Sequence, residues 1–173
     1  YEALKLAGDV HLARGLSHRD HGDYAAAASS LNQALSQYQR ASELGRSDYQ
    51  IYEAMAEIGI RQMELEVLRG RNPREHLALV FSAAERAVEA DPVAAAGAAK
   101  QAFATLFMVQ HLETERNNPE REQWLEQLVA VATRAVARAP RDEYAQDVLG
   151  TGYVFRAAYA MERRRDPLPD LRQ

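Results

Sequence analysis

The stretch Arg86-Ala87-Val88-Glu89-Ala90-Asp91-Pro92 returns, little changed, as Arg134-Ala135-Val136-Ala137-Arg138-Ala139-Pro140, with its proline 48 positions further on. Outward from this pair, Arg69-Gly70-Arg71-Asn72-Pro73 lines up with Glu115-Arg116-Asn117-Asn118-Pro119 and with Arg163-Arg164-Arg165-Asp166-Pro167, at intervals of 46 and 48. The chain therefore repeats with a period near 47 residues. Between the marks, apolar residues recur at helical spacing: Leu77, Val80, Phe81, Ala84, Ala87 and Val88 in one period, Trp124, Leu125, Leu128, Val131, Ala132 and Ala135 in the next. Fixed-period similarity of helix pairs is the signature of an α-solenoid, in which one hairpin cannot bury its apolar face without a stacked neighbour.

The punctuation divides the periods into helices. Asn72-Pro73, Asp91-Pro92, Asn118-Pro119 and Asp166-Pro167 each join a good N-cap to a proline, which is tolerated in the first helical turn because the amide it lacks would be unpaired there. Gly22-Asp23 and Gly45-Arg46-Ser47-Asp48 supply the other turns, with glycine ending one helix and Ser47 or Asp48 capping the next. These signals predict seven helices, over residues 2–20, 24–44, 48–70, 73–90, 93–116, 119–138 and 142–165. Connections this short make successive helices antiparallel neighbours. The expected architecture is all-α, an α-α superhelix of about three and a half hairpins (2–44, 48–90, 93–138 and an incomplete 142–173), forming a single domain over 1–173.

Composition agrees. Alanine is about a fifth of the 173 residues, Leu, Glu, Gln and Arg are abundant, and Val, Ile and Thr are sparse, which favours helix and leaves no segment that reads as a strand. With no cysteine there is no disulfide framework, thiolate metal site or cysteine nucleophile, and a reducing, cytoplasmic setting is expected. A net charge of -4 offers no overall positive field for nucleic acid or anionic lipid. The longest low-charge stretch, Pro92 to Ala99, is far short of the roughly 20 apolar residues of a membrane span. A chain beginning at Tyr1 is expected to be a piece of a longer protein.

The residues resemble the tetratricopeptide repeat. Gly22-Asp23-Tyr24 followed by Ala27, Leu31 and Ala34 matches its second-helix pattern, Leu149-Gly150-Thr151-Gly152-Tyr153 its first-helix pattern, and Ala87 to Pro92 and Ala135 to Pro140 its closing Ala-x-x-x-x-Pro. The period departs from the family's roughly 34 residues, with the excess lying before Pro73, Pro119 and Pro167. The Arg-Gly-x-x-Pro-like insertion resembles the repeat arrays that follow the catalytic domain in many bacterial serine/threonine protein kinases. The resemblance implies a non-catalytic module that binds a protein or peptide.

No phosphate-binding glycine loop, nucleophile elbow or kinase signature is present, so no catalytic residue and no cofactor are expected. His18, Asp20, His21 and Asp23 have the residue types for a divalent metal, but three ligands of fixed geometry are required, and a polar, solvated helix end is the expectation. His11, seven residues before His18 and able to share its face, is expected to be a packed or surface histidine rather than a ligand, and His76 and His111 have no catalytic partner in their own helices. Glu64 with Glu66, and Glu113 with Glu115, stand two apart and point to different sides of a helix, so they are expected to be solvated. Arg163-Arg164-Arg165 suits the negative end of a helix dipole.

The resemblance also implies that the first helix of each hairpin lines a concave surface. Registered on Leu149-Gly150, that surface receives Tyr144, Asp147, Thr151 and Val154 in the last repeat, Gln50, Glu53, Glu57 and Ile60 two periods earlier, and Phe103 and Leu106 between them. Such a groove, acidic at one end and apolar at its centre, would suit a peptide or helix carrying a hydrophobic anchor and a basic residue. Replacing Glu53 and Glu57 together should then weaken a basic ligand at low salt. The rival expectation is a spacer or self-association element that stacks through its repeat ends.

Overall fold

In the computed structural model, which describes residues 1–92, 96–113 and 118–172, the described residues are helical with no strand. The elements are α1 (Glu2–Asp20), α2 (Tyr24–Leu44), α3 (Tyr49–Leu68), a 3-10 turn at Pro73–His76, α4 (Leu77–Ala90), α5 (Ala96–Glu113), α6 (Arg121–Arg138), α7 (Glu143–Glu162) and a four-residue α8 (Leu168–Leu171). The boundaries expected for 93–116 and the turn at Asn117 lie outside the described residues. The helices expected to begin at Pro73 and Pro119 begin later, and one interaction accounts for both. The side chain of Asn72 accepts the amide of Arg74, and that of Asn118 the amide of Glu120, each at 2.9 Å, so the chain spends a turn on these bonds before the α-helical ladder starts. Asp166 accepts from Leu168 at 2.9 Å in the same way. Three of the four Asx-Pro marks thus share one geometry.

The turns that end the first helices repeat as well. After α3 the Arg71 amide donates to Glu66 O (2.8 Å) and the Gly70 amide to Val67 O (2.9 Å), with Gly70 at φ 71°. After α1, Asp23 and Gly22 donate to His18 O and Arg19 O, both at 2.9 Å, with Gly22 at φ 78°. After α7, Arg165 and Arg164 donate to Ala160 O (2.8 Å) and Met161 O (3.0 Å). All three are Schellman turns, which need one left-handed residue. In the last this residue is Arg164, at φ 56°. The α2–α3 and α6–α7 turns are also alike: Asp48 donates to Gly45 O and Asp142 to Ala139 O, both at 3.0 Å. The carboxylates of Asp48 and Asp142 then cap the helices that follow.

The chain groups into two compact units, residues 1–100 and 101–173, a division that falls within α5. In the first unit α1 packs on α2 and α3 on α4. A Cβ on Gly8 would stand 2.6 Å from the Tyr38 ring, and one on Gly59 2.7 Å from Val80 Cγ2. These glycines let the paired helices approach; Ala27 of α2 lies against Gly15 of α1, and Ala84 and Ala87 of α4 lie against Gly97 of α5. In the second unit Ala102, Leu106 and Val109 of α5 close a core with Leu125, Leu128, Val131 and Ala132 of α6 and Val148 and Tyr159 of α7. The close approach on α7 is at Gly152, where a Cβ would lie 3.3 Å from Leu128 Cγ. Gly150, on which the register was set, has nothing within 4 Å.

Two substitutions test this account. Arg164→Gly relieves a left-handed conformation costly to a side chain and should raise stability by about 1 kcal/mol. Gly59→Val forces a side chain against a fully buried neighbour and should lower it by about 2 kcal/mol. Urea unfolding midpoints give both signs.

Candidate functional site

Within the first unit, α3 meets its neighbouring helices through charge. Lys5 of α1 reaches Asp48 at the α3 N-cap (2.7 Å) and Gln50 (3.3 Å). Arg19 of α1 reaches Glu64 (2.9 Å), and Lys100 of α5 is hydrogen-bonded to Glu57. These partners lie 43 or 45 residues apart, close to one repeat, so the pairs join successive first helices. Within α3, Arg61 stands between Glu57 (2.5 Å) and Glu64 (2.6 Å). A continuous chain of alternating charge therefore runs Lys100, Glu57, Arg61, Glu64, Arg19.

This arrangement separates the four residues assigned to the groove on α3. Gln50 is exposed and accepts from Lys5. Ile60 is 1% exposed and belongs to the core; the expectation that it lines a surface is corrected, because α3 has helices packed on either side. Glu57 is half-buried and spent on two cations. Burial raises its carboxyl, but the hydrogen bond and charge of Lys100, aided by Arg61, outweigh this and hold it below the ordinary range. Glu53 differs. Its Oε1 is buried without a hydrogen-bond partner, and its carboxyl is raised, first by burial, with Lys100 pulling back and Asp91 adding to the rise.

In the second unit, Leu106 is 8% exposed and part of the core, which corrects its placement on the groove. Phe103 is half-buried, its ring 5.7 Å from that of Tyr144 at 42°. Asp147, Thr151 and Val154 do come together: with Gly150 and Phe155 they line a shallow groove of about 520 Å³ on α7, where Val154 is 59% exposed. Val154 stands where Ile60 stands two periods earlier. The register is shared and the exposure is not.

The other polar clusters have structural work. Asp23 caps α2 by accepting from Ala26, Asp20 pairs with Arg19, and His21 Nδ1 lies 2.7 Å from Ser17 O. Glu64 and Glu66, expected to be solvated, are in the charge chain and 6% exposed respectively; the side chains of Glu113 and Glu115 lie outside the described residues. Glu66, Glu75 and His76 bring ligand atoms within 4.8 Å of one another, a grouping that sequence spacing did not reveal because the 3-10 turn creates it. Glu66 already faces Arg69 (3.3 Å) and Arg71 (3.7 Å), and a cation there would have to compete with both. The three arginines at the end of α7 diverge: Arg163 stacks over Tyr159, Arg164 makes the turn, and Arg165 pairs with Glu122 at 2.6 Å.

No protein-family model and no curated protein sequence matches the chain. Among the described residues no helix is long and apolar enough to cross a membrane.

The two glutamates should respond to pH with opposite signs. Glu57, held below its ordinary 4.5, stabilises the fold above that value and loses the contribution as pH falls through its lowered value. Glu53, raised above 4.5, favours the fold most when protonated, and the benefit disappears as pH rises through its elevated value. Glu57→Gln should therefore lower Tm at pH 7 and flatten its decline below pH 4.5. Glu53→Gln should raise Tm at pH 7. Thermal melts across this range check both.

Proposed function

We propose that this chain is a non-catalytic protein-binding module of tetratricopeptide-like repeats, its partner a peptide or helix with an apolar anchor beside a basic residue. The observation that carries the reading is the α7 groove, where exposed Val154 stands with Asp147 and Thr151. An apolar side chain in a partner would cover Val154, and a cation would meet Asp147. The charge chain on α3 supports the same reading from the other unit. It spends Glu57 on Lys100 and Arg61 and leaves Glu53 as the acid with an unused oxygen. The likeness of the insertion to the repeat regions that follow bacterial serine/threonine kinase domains makes the partner-recruiting repeat region of such a kinase, in the cytoplasm, the setting of the proposal.

A second reading, self-association through repeat ends, rests on Leu6 and Val10, 65% and 44% exposed and one turn apart on α1, and on Met161 and Leu171, each 59% exposed.

Light scattering over a concentration series, with capture by the purified chain, separates the two. A monomer whose captured partner is lost with Val154→Asp and weakened severalfold by Asp147→Asn supports the groove. Retention of the partner by both variants removes it. A concentration-dependent oligomer that Leu6→Lys with Val10→Lys returns to monomer supports stacking.

A further inference from the structure

Where the last turn of α2, the first turn of α3 and the last turns of α4 meet, the first unit has a cleft of about 690 Å³, distinct from the faces described above. Its aromatic wall is Tyr52, 5% exposed, whose hydroxyl donates to Arg46 O at 3.0 Å and so pins the α2–α3 turn. The Arg86 guanidinium lies 6.0 Å from the centre of that ring. The remaining charged residues lining the cleft are Arg46, Glu43 and Glu89. Ser42 gives its proton to Gln39 O at 2.7 Å, which leaves its lone pairs to accept.

The cleft brings together four charges of both signs. On α3, Glu57, Arg61 and Glu64 are linked to one another and to Lys100 and Arg19 of other helices, and Arg121, Arg156 and Arg165 are paired in the second unit. Arg46, Arg86, Glu43 and Glu89 line one concavity, yet none of them makes an ion pair among the described residues, and the Arg86 guanidinium lies over the Tyr52 ring. Two guanidiniums present forks suited to a carboxylate, while two carboxylates beside them suit an ammonium. The same carboxylates repel a doubly charged phosphate. The volume lies in the range of small-ligand and short-peptide sites.

We infer that this cleft binds a mixed-charge peptide segment, taking an acidic side chain on Arg46 and Arg86 and a neighbouring ammonium on Glu43 and Glu89, with the chain lying over Tyr52. The site is independent of the α7 groove, and substitutions here leave binding at that groove unchanged.

The test is an NMR titration of the whole chain with a capped tetrapeptide containing lysine followed by aspartate. Saturable shifts confined to amides of residues 42–52 and 86–90 are expected. Arg46→Gln with Arg86→Gln should weaken binding at least tenfold, and so should Glu43→Gln with Glu89→Gln. On the unaltered chain, peptides carrying asparagine for the aspartate, or glutamine for the lysine, should each lose at least tenfold, which keeps the test informative if a variant fails to fold. Absence of saturation at millimolar peptide overturns the proposal. So does equal binding of the glutamine-containing peptide, or tighter binding of inorganic phosphate, which would make the cleft a simple anion site.

Discussion

Paired helices in this protein approach each other where side chains are nearly absent. Gly8 faces the Tyr38 ring, Gly59 faces Val80 and Gly152 faces Leu128, at distances that leave little or no room for a Cβ. Buried alanines recur on the second helices: Ala27, Ala34 and Ala41 on α2, Ala84 and Ala87 on α4, Ala132 and Ala135 on α6. Close approach turns weak dispersion contacts into a continuous interface, and it sets where every longer side chain must go. Tyr38, displaced around Gly8, reaches Asp9 with its hydroxyl. In the first unit, side chains of successive first helices meet at a separation that ion pairs can span.

Those ion pairs determine how much charge is left for a partner. Lys5, Arg19 and Lys100 each take an acid or cap on α3, so the acidity of that helix is largely internal to the fold. Partly buried charges brought together in this way are neutralised because an unpaired one would carry its full desolvation cost. Among the features left without a mate are the orphan oxygen of Glu53, the exposed Val154, and the four charges that line the Tyr52 cleft.

Much of the fold was legible in the residues. The Asn72-Pro73 and Asn118-Pro119 marks, read as helix starts, stand a few residues before α4 and α6, and the alignment of Gly70 with Arg164 corresponds to two Schellman turns of one geometry, although only one has the residue such a turn favours. Sequence spacing fails in two ways. It places Ile60 and Val154 at one register position, but one is 1% exposed and the other 59%, because α3 is packed on both sides whereas Val154 on α7 is not covered. It also reads Glu53 and Glu57 as equivalent acids one turn apart, whereas Lys100, 43 residues beyond Glu57, binds only the second.

By itself, then, the sequence determined the period, the helices and the turns between them, since capping, proline geometry and apolar spacing act over a few residues. It determined through its alanines and glycines that these helices would pack closely. Only the tertiary structure decided which acids are neutralised, which apolar residues stay in solvent, and that Arg46 and Arg86, 40 positions apart in the chain, share a cleft. Those outcomes depend on what lies a full repeat away, where burial and pairing are set by neighbours that local spacing does not encode.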